Sequence, residues 1–574
     1  MVVSGMFLIP MRMNCKIVGA SCLLALLVGA AAGEKMAALP NRYAIKLRID
    51  PTARRYVGQQ RVRWTNIGTR PETTLYFHLY PNLRADEETD EAASPRLYIE
   101  RVRVKGAERP FALVDRATSL RIPLPQLVAP GESVEVEIEF RGTFPDVDGE
   151  ETTLLAHLVN QIDAVWRNRR EQLSGRHLHF RSGDTVLLGA GYPVLAAREN
   201  NGWSRRVEAS VGDFVHAEVA DYEVEIEMES TPEAEIITSG EERAKGKFSG
   251  KSLRNFAILV GRGWQSEERA VGDLRLRSVF RLGRQRVGRR ALDVAAAAAR
   301  LYAQRFGELP LKSLKIVEAP LIAGLGHAEF SGLSVVAAAF YVDFDAPQAR
   351  ALPDMVREQR ASFEESLEWT IAHAVAHQWW GTAVGSDPQR TPVLDEALAN
   401  WSALFYFEEN YGPERAALVA DDQLRGVYQL YRTFGGEDLP ADRAARAYRN
   451  SFQYAAIVES KGALMFAALR RLLGDARFFA ALRRYYHQHQ QRIADLNDLR
   501  SAFMVEAASD QRTAVARLFE RWLVGRFGDE DIGPPNVTLA VTLGLPAAGA
   551  KRDEAPNAFA RLGKFFWRQI TRIK

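Results

Sequence analysis

The chain has almost no cysteine. Its only two, Cys15 and Cys22, lie near the start of the 574 residues, so no disulfide framework holds the body together and no thiol chemistry resides there. Net charge is also scarce. The formal value is +3, and Arg12 and Lys16 account for two of the three, leaving +1 for the remainder; bulk steering toward nucleic acid is thereby excluded. Neither an internal repeat nor a low-complexity linker is present. Long apolar runs are missing too, with one exception at residues 17–32 (IVGASCLLALLVGAAA).

That run follows Arg12 and Lys16 and closes on Ala30, Ala31 and Ala32, the pattern of a signal peptide spanning residues 1–32. Export to a periplasmic or extracellular location is expected. An uncleaved anchor fits less well, because the run is short and is interrupted by Gly19, Ser21 and Gly29. A lipid-attachment cysteine should close the run, and Cys22 lies inside it instead.

With 47% hydrophobic and 26% charged residues, the remainder is globular and too long for one ordinary core. Alternating runs such as YAIKLRI (43–49), SVEVEIEF (133–140) and YEVEIEM (222–228) predict an antiparallel β-rich domain with one wet face over residues 33–265. Helical periodicity takes over afterwards, at 291–306, 367–383, 392–411, 461–473 and 476–489, with a small strand-bearing portion around 314–336. Residues 266–533 are thus expected to form a second, mostly helical domain. The last segment, 534–574, ends in seven basic and two acidic residues after Ala550. On a helix, Phe559, Leu562, Phe566, Ile570 and Ile573 would form one apolar stripe, suited either to peripheral contact with an anionic membrane or to docking on the protein's own surface.

Within the helical domain, His373 and His377 stand four residues apart and project from one helix face. The pair alone carries little, since ten histidines give this spacing by chance in roughly one such sequence in six. Context adds more. Glu396 opens the next helical passage, LDEALANW (394–401), so a helix, a turn and a second helix return its carboxylate to both imidazoles. Two His and one Glu leave a coordination position open, the mark of a catalytic rather than a structural zinc site.

The passage IAHAVAHQWWG (371–381), with Glu396, resembles the zinc site of the aminopeptidase N family of gluzincin metallopeptidases. GHAEFSGL (326–333) is similar to the family's exopeptidase segment, LYFHLYPN (75–82) to part of its β domain, and AAIVESKG (455–462) to its Tyr-x-Lys-Gly segment. The resemblance covers residues 40–530. It implies an α+β multidomain fold: an N-terminal saddle-like antiparallel β-sheet domain followed by a thermolysin-like, mostly helical zinc metallopeptidase domain. It further implies one zinc ion on His373, His377 and Glu396, and a substrate subsite of Glu329, Gly326 and Tyr454, with Glu329 taking the free amino terminus. Peptides or protein N-termini are the implied partners.

The resemblance breaks where the chemistry should be. Ala374 stands where the family has its general-base Glu, and Glu459 where it has a Tyr that donates to the oxyanion; a carboxylate there repels the developing charge. His327 and Ala328 replace the usual residues beside Glu329, and Asp395 and Ala397 those flanking Glu396. A weak or inactive peptidase that still binds zinc and peptide ends is the expectation. Two alternatives stand beside it: an active aminopeptidase using Glu459 or the metal alone, and a metal-free interaction scaffold.

Overall fold

Alternation shapes the first half of the chain. In the computed structural model, which describes residues 41–85, 96–167, 169–199, 202–352 and 354–542, the strand Asn41–Asp50 buries Tyr43, Ile45, Leu47 and Ile49 and turns Arg42, Ala44, Lys46 and Arg48 outward. The signal segment with Cys15 and Cys22, and the basic C-terminal stripe, lie outside the described residues.

Asn41–Asp50 sits inside an eight-stranded sheet, between Ala220–Met228 and Arg55–Thr65. Its pairing with Arg55–Thr65 is antiparallel, as expected. That with Ala220–Met228 is parallel, with Tyr43 opposite Tyr222, because the long intervening chain allows the return in the same direction. Outward-facing charges meet across the strands: Lys46–Glu225 at 3.6 Å, Arg48–Glu227 at 3.4 Å and Arg61–Glu137 at 2.9 Å. Exposed pairs of this kind add little stability, but they oppose a one-residue slip, which would bury the charges. Two four-stranded sheets and one two-stranded sheet complete this half, together with a helix, Leu154–Arg167, that the reading as strands did not anticipate.

A fifth sheet begins at Trp264. Its order is Trp264–Val271, Leu274–Arg281, Ser313–Ala319, Leu333–Ala337 and His327–Phe330. The strand-bearing portion read around 314–336 therefore supplies three of its five strands, and the hairpin at 264–281 supplies the other two. The helix Gln285–Phe306 crosses over between the parallel strands Leu274–Arg281 and Ser313–Ala319. His327–Phe330 is the edge strand, antiparallel to its neighbour.

Helices cover this sheet, with Arg360–Ala376 and Glu396–Tyr411 packed side by side. The Tyr302 hydroxyl, from Gln285–Phe306, lies 3.2 Å from the Ala372 carbonyl and 2.9 Å from that of Ser402, and so binds all three helices together. Behind them Trp379 and Trp380 are buried, and their indole N–H groups donate to the Gly307 carbonyl and the Ser402 hydroxyl. The expected helix 367–383 stops at Ala376. Apolar residues continue through the bend, which depends on Gly381 at φ +96°. No described helix is long and apolar enough to cross a membrane.

Candidate metal centre

His373 lies in the last turn of Arg360–Ala376 and His377 caps that helix. Their Nε2 atoms are 3.0 Å apart. Glu396, first residue of the facing helix, places Oε2 at 3.7 Å from His373 Nε2 and 3.5 Å from His377 Nε2. All three residues are buried. Four donors arranged tetrahedrally at about 2.0 Å from a zinc ion stand roughly 3.3 Å from one another, so these spacings match the group they would hold.

Hydrogen bonding settles which nitrogens face inward. His373 Nδ1 is 3.0 Å from the Asn400 side-chain oxygen, and His377 Nδ1 is 3.2 Å from the Trp380 carbonyl. Each Nδ1 must donate its hydrogen to these acceptors, which leaves both Nε2 lone pairs directed at one point. Two lone pairs and a carboxylate converging in a buried site call for a cation. Without a metal ion, a proton on His377 would fill that role: burial drives His373 well below the usual histidine range, whereas for His377 the Glu396 carboxylate outweighs burial and raises it to about 10. The residues present fit zinc.

Ala374 lies between the two histidines, fully buried, with its carbonyl 3.3 Å from the Ser334 hydroxyl. The edge strand approaches from the opposite side. His327 and Glu329 are two residues apart on a strand and therefore share a face; His327 Nδ1 is 2.6 Å from Glu329 Oε1, an ion pair without the angular geometry of a hydrogen bond. The His327 ring also packs on His373, centroids 4.7 Å apart. Burial disfavours charge on both partners, yet their mutual attraction raises His327 to about 9 and holds Glu329 low. Gly326 precedes the strand, where a Cβ would come within 3.1 Å of Phe340.

The third wall is a π-helical stretch, Ala455–Lys461, which carries Glu459 and follows Tyr454. Helical irregularities of this kind recur at functional sites. Burial, then the Glu396 carboxylate, raises Glu459 to about 8. Tyr454 is 3% exposed, and among the described residues its hydroxyl has no hydrogen-bond partner. It stands against Gly212, whose φ is +76° and where a Cβ would be 2.5 Å from that hydroxyl.

Three participants were not evident from sequence. Asn400, which orients His373, shares a helix face with Glu396 four residues earlier, so the spacing held the signal. His327 was noted only as a replacement, with no hint of its pairing. Asp213 arrives on a loop of the β-rich half and carries no local mark. It lines, with Glu329, His377 and Asp395, a cavity of about 40 Å³. Burial and the carboxylates of Glu329 and Glu396 raise it to about 8. Asp395 accepts from the Ser386 hydroxyl at 2.7 Å and from the Glu396 amide at 3.0 Å, capping the second metal-bearing helix.

Residues 350–522 match the Peptidase family M1 domain. Aminopeptidase N of Lactococcus lactis subsp. lactis is 26% identical over 176 residues, 28% of this chain and 19% of that one. Aminopeptidase M1-B of Oryza sativa subsp. japonica is 25% identical over 244 residues, 42% of this chain and 26% of that one. The chain thus spans about a quarter or less of the length of these relatives. Among solved structures, the M1 zinc metallopeptidase from Deinococcus radiodurans superposes with a TM-score of 0.54 at 16% identity, covering 85% of this chain and 94% of that one, a likeness of fold. A mutant of the same protein, with the same TM-score, identity and coverage, is described as bound to a Tyr-Ser-Ala substrate. In its matching domain, its relatives, its fold and the converging His373, His377 and Glu396, the chain resembles the aminopeptidase N-like gluzincins among the M1 peptidases.

Proposed function

We propose that this protein holds one zinc ion on His373, His377 and Glu396, receives peptide ends in the adjoining acid-lined pocket, and hydrolyses them weakly or not at all. The observation that carries the reading is a complete, correctly spaced ligand set around a position, Ala374, that offers only a methyl group. When bound, zinc would polarise a scissile carbonyl and lower the pKa of water toward about 7.

What this chain's own side chains add is less. A positioned base contributes about 10²- to 10⁴-fold, and Ala374 supplies none. An oxyanion donor contributes about 10²- to 10³-fold, and Glu459 replaces a hydroxyl donor with an acid facing the Glu396 carboxylate. Recognition chemistry survives better, because the carboxyl groups of Glu329, Asp213 and Asp395 line the cavity where a peptide ammonium would dock. The relative described with a Tyr-Ser-Ala substrate supports peptides as the ligand class. Export through residues 1–32 belongs to the same proposal, as does contact of the basic C-terminal segment with a membrane.

Metal analysis of the purified chain, beside His377→Ala, tests the first half: about one zinc per chain is expected, lost in the variant. A protein without zinc would instead be the interaction scaffold.

A further inference from the structure

The geometry points to a second cation site, apart from the zinc centre: a divalent transition-metal ion held by His216, Glu199 and Asp387, where the β-rich half meets the chain that follows His377. One ring nitrogen of His216 and one carboxylate oxygen from each acid lie within 4.8 Å of one another. Three separate segments supply them. Glu199 ends the short strand Arg198–Glu199, His216 lies in the loop before Ala220–Met228, and Asp387 opens the turn at 388–390 that leads on to Glu396.

Hydrogen bonding prepares the imidazole. His216 is 6% exposed, and its Nδ1 lies 3.0 Å from the Ser386 carbonyl, which can only accept. Nδ1 therefore carries the hydrogen, and Nε2, without a partner among the described residues, keeps its lone pair free. Burial holds the ring below its usual value despite the pull of Asp387 and Glu199, so it is neutral, the form that binds metal. The acids are equally ready. Glu199 Oε1 is buried without a hydrogen-bond partner, since Arg390 takes the other oxygen, Oε2, at 2.8 Å. Asp387 Oδ1 accepts the amides of Gln389 and Arg390 at 3.0 Å each, which fixes the carboxylate and leaves Oδ2 with only the Arg390 Nε at 3.6 Å, beyond hydrogen-bonding distance.

A buried imidazole lone pair beside an orphaned carboxylate oxygen calls for a shared cation. Ligand atoms about 2.2 Å from one ion stand roughly 3 to 4.4 Å apart, so slight side-chain adjustment closes the set, with water filling the remaining positions. One nitrogen and two carboxylates favour manganese or zinc over calcium and magnesium, which prefer oxygen alone. The Arg390 side chain, 66% exposed, is free to turn outward as the ion enters. Ser386, whose carbonyl receives His216, also donates its hydroxyl to Asp395 at 2.7 Å, so an ion here braces the turn that presents Glu396.

The experiment titrates Mn²⁺ into the full chain loaded with one equivalent of zinc and follows free Mn²⁺ by electron paramagnetic resonance. Saturable binding of about one Mn²⁺ per chain is expected, weakened at least about tenfold in His216→Asn and in Glu199→Gln. The first variant keeps a donor for the Ser386 carbonyl and the second an acceptor for Arg390; zinc content and circular dichroism verify that both fold. Arg390→Ala removes a competing cation and should bind Mn²⁺ about threefold more tightly or better. His377→Ala should bind it as the unmodified chain does, which separates this site from the zinc centre. Absence of saturable binding in the unmodified chain would overturn the assignment, as would binding that survives both ligand variants, weaker binding in Arg390→Ala, or loss of binding in His377→Ala.

Discussion

The side-chain oxygen of Asn400 lies 3.0 Å from Nδ1 of His373, one helical turn beyond Glu396. A single helix thus carries a metal ligand and the group that orients another. Replacing Asn400 by Leu removes the acceptor that fixes the His373 tautomer, and zinc affinity measured by chelator competition should fall about 10- to 100-fold. Unchanged affinity would mean that His373 is oriented by packing alone.

Two substitutions bear on the chemistry. Under the proposed function, Ala374→Glu supplies a carboxylate beside the metal ligands and Glu459→Tyr a hydroxyl. Because groups that act together are not additive, neither single variant is expected to hydrolyse an aminoacyl-arylamide well, whereas the double variant should exceed each by about 10²-fold or more. Equal activity in single and double variants would show that Glu459 does not face the reacting carbonyl.

Arg254 joins the two halves of the molecule. Its buried guanidinium donates to the carbonyls of Thr382 at 2.8 Å, Ala217 at 3.0 Å and Arg492 at 3.0 Å, and Gly385 leaves room for it. In Arg254→Met these acceptors lose their donors, and stability in urea should drop by about 3 to 5 kcal/mol. A change within about 0.5 kcal/mol would assign the tether elsewhere.

Glu459 makes the metal-free protein sensitive to pH. Burial and the Glu396 carboxylate raise its carboxyl from 4.5 to about 8. The folded chain therefore keeps a proton that the unfolded chain has already released. The resulting contribution to stability is full below about 4.5 and is lost as pH rises toward about 8. With zinc chelated, the thermal midpoint of the unmodified protein should fall more steeply between about pH 5 and 8 than that of Glu459→Gln. Parallel profiles would contradict the burial of an unpaired carboxyl.

What the sequence revealed follows the range of the interactions involved. His373 and His377 were legible because a helix repeats every 3.6 residues, and Glu396 because a short connection must return the next helix. The inward strand residues Tyr43, Ile45 and Leu47 were legible from alternation, which fixes faces but not partners; the parallel match of Tyr43 with Tyr222 depends on chain more than a hundred residues away. The helix Leu154–Arg167 was absorbed into a run of strands because turn residues on both sides suggested more of the same. Asp213 and the His327–Glu329 pair were illegible as a unit, since one comes from a loop of the β-rich half and the other from an edge strand. Only folding brings Asp213 and Glu329 to one cavity.

The central claim is that the metal ligands outlasted the catalytic groups. It is tested most directly by the turnover of an aminoacyl-arylamide on the zinc-loaded, unmodified chain. The account predicts release of arylamine no faster than an equal concentration of His377→Ala gives. Sustained turnover that disappears in His377→Ala would contradict it and reveal a working aminopeptidase whose base is not at position 374.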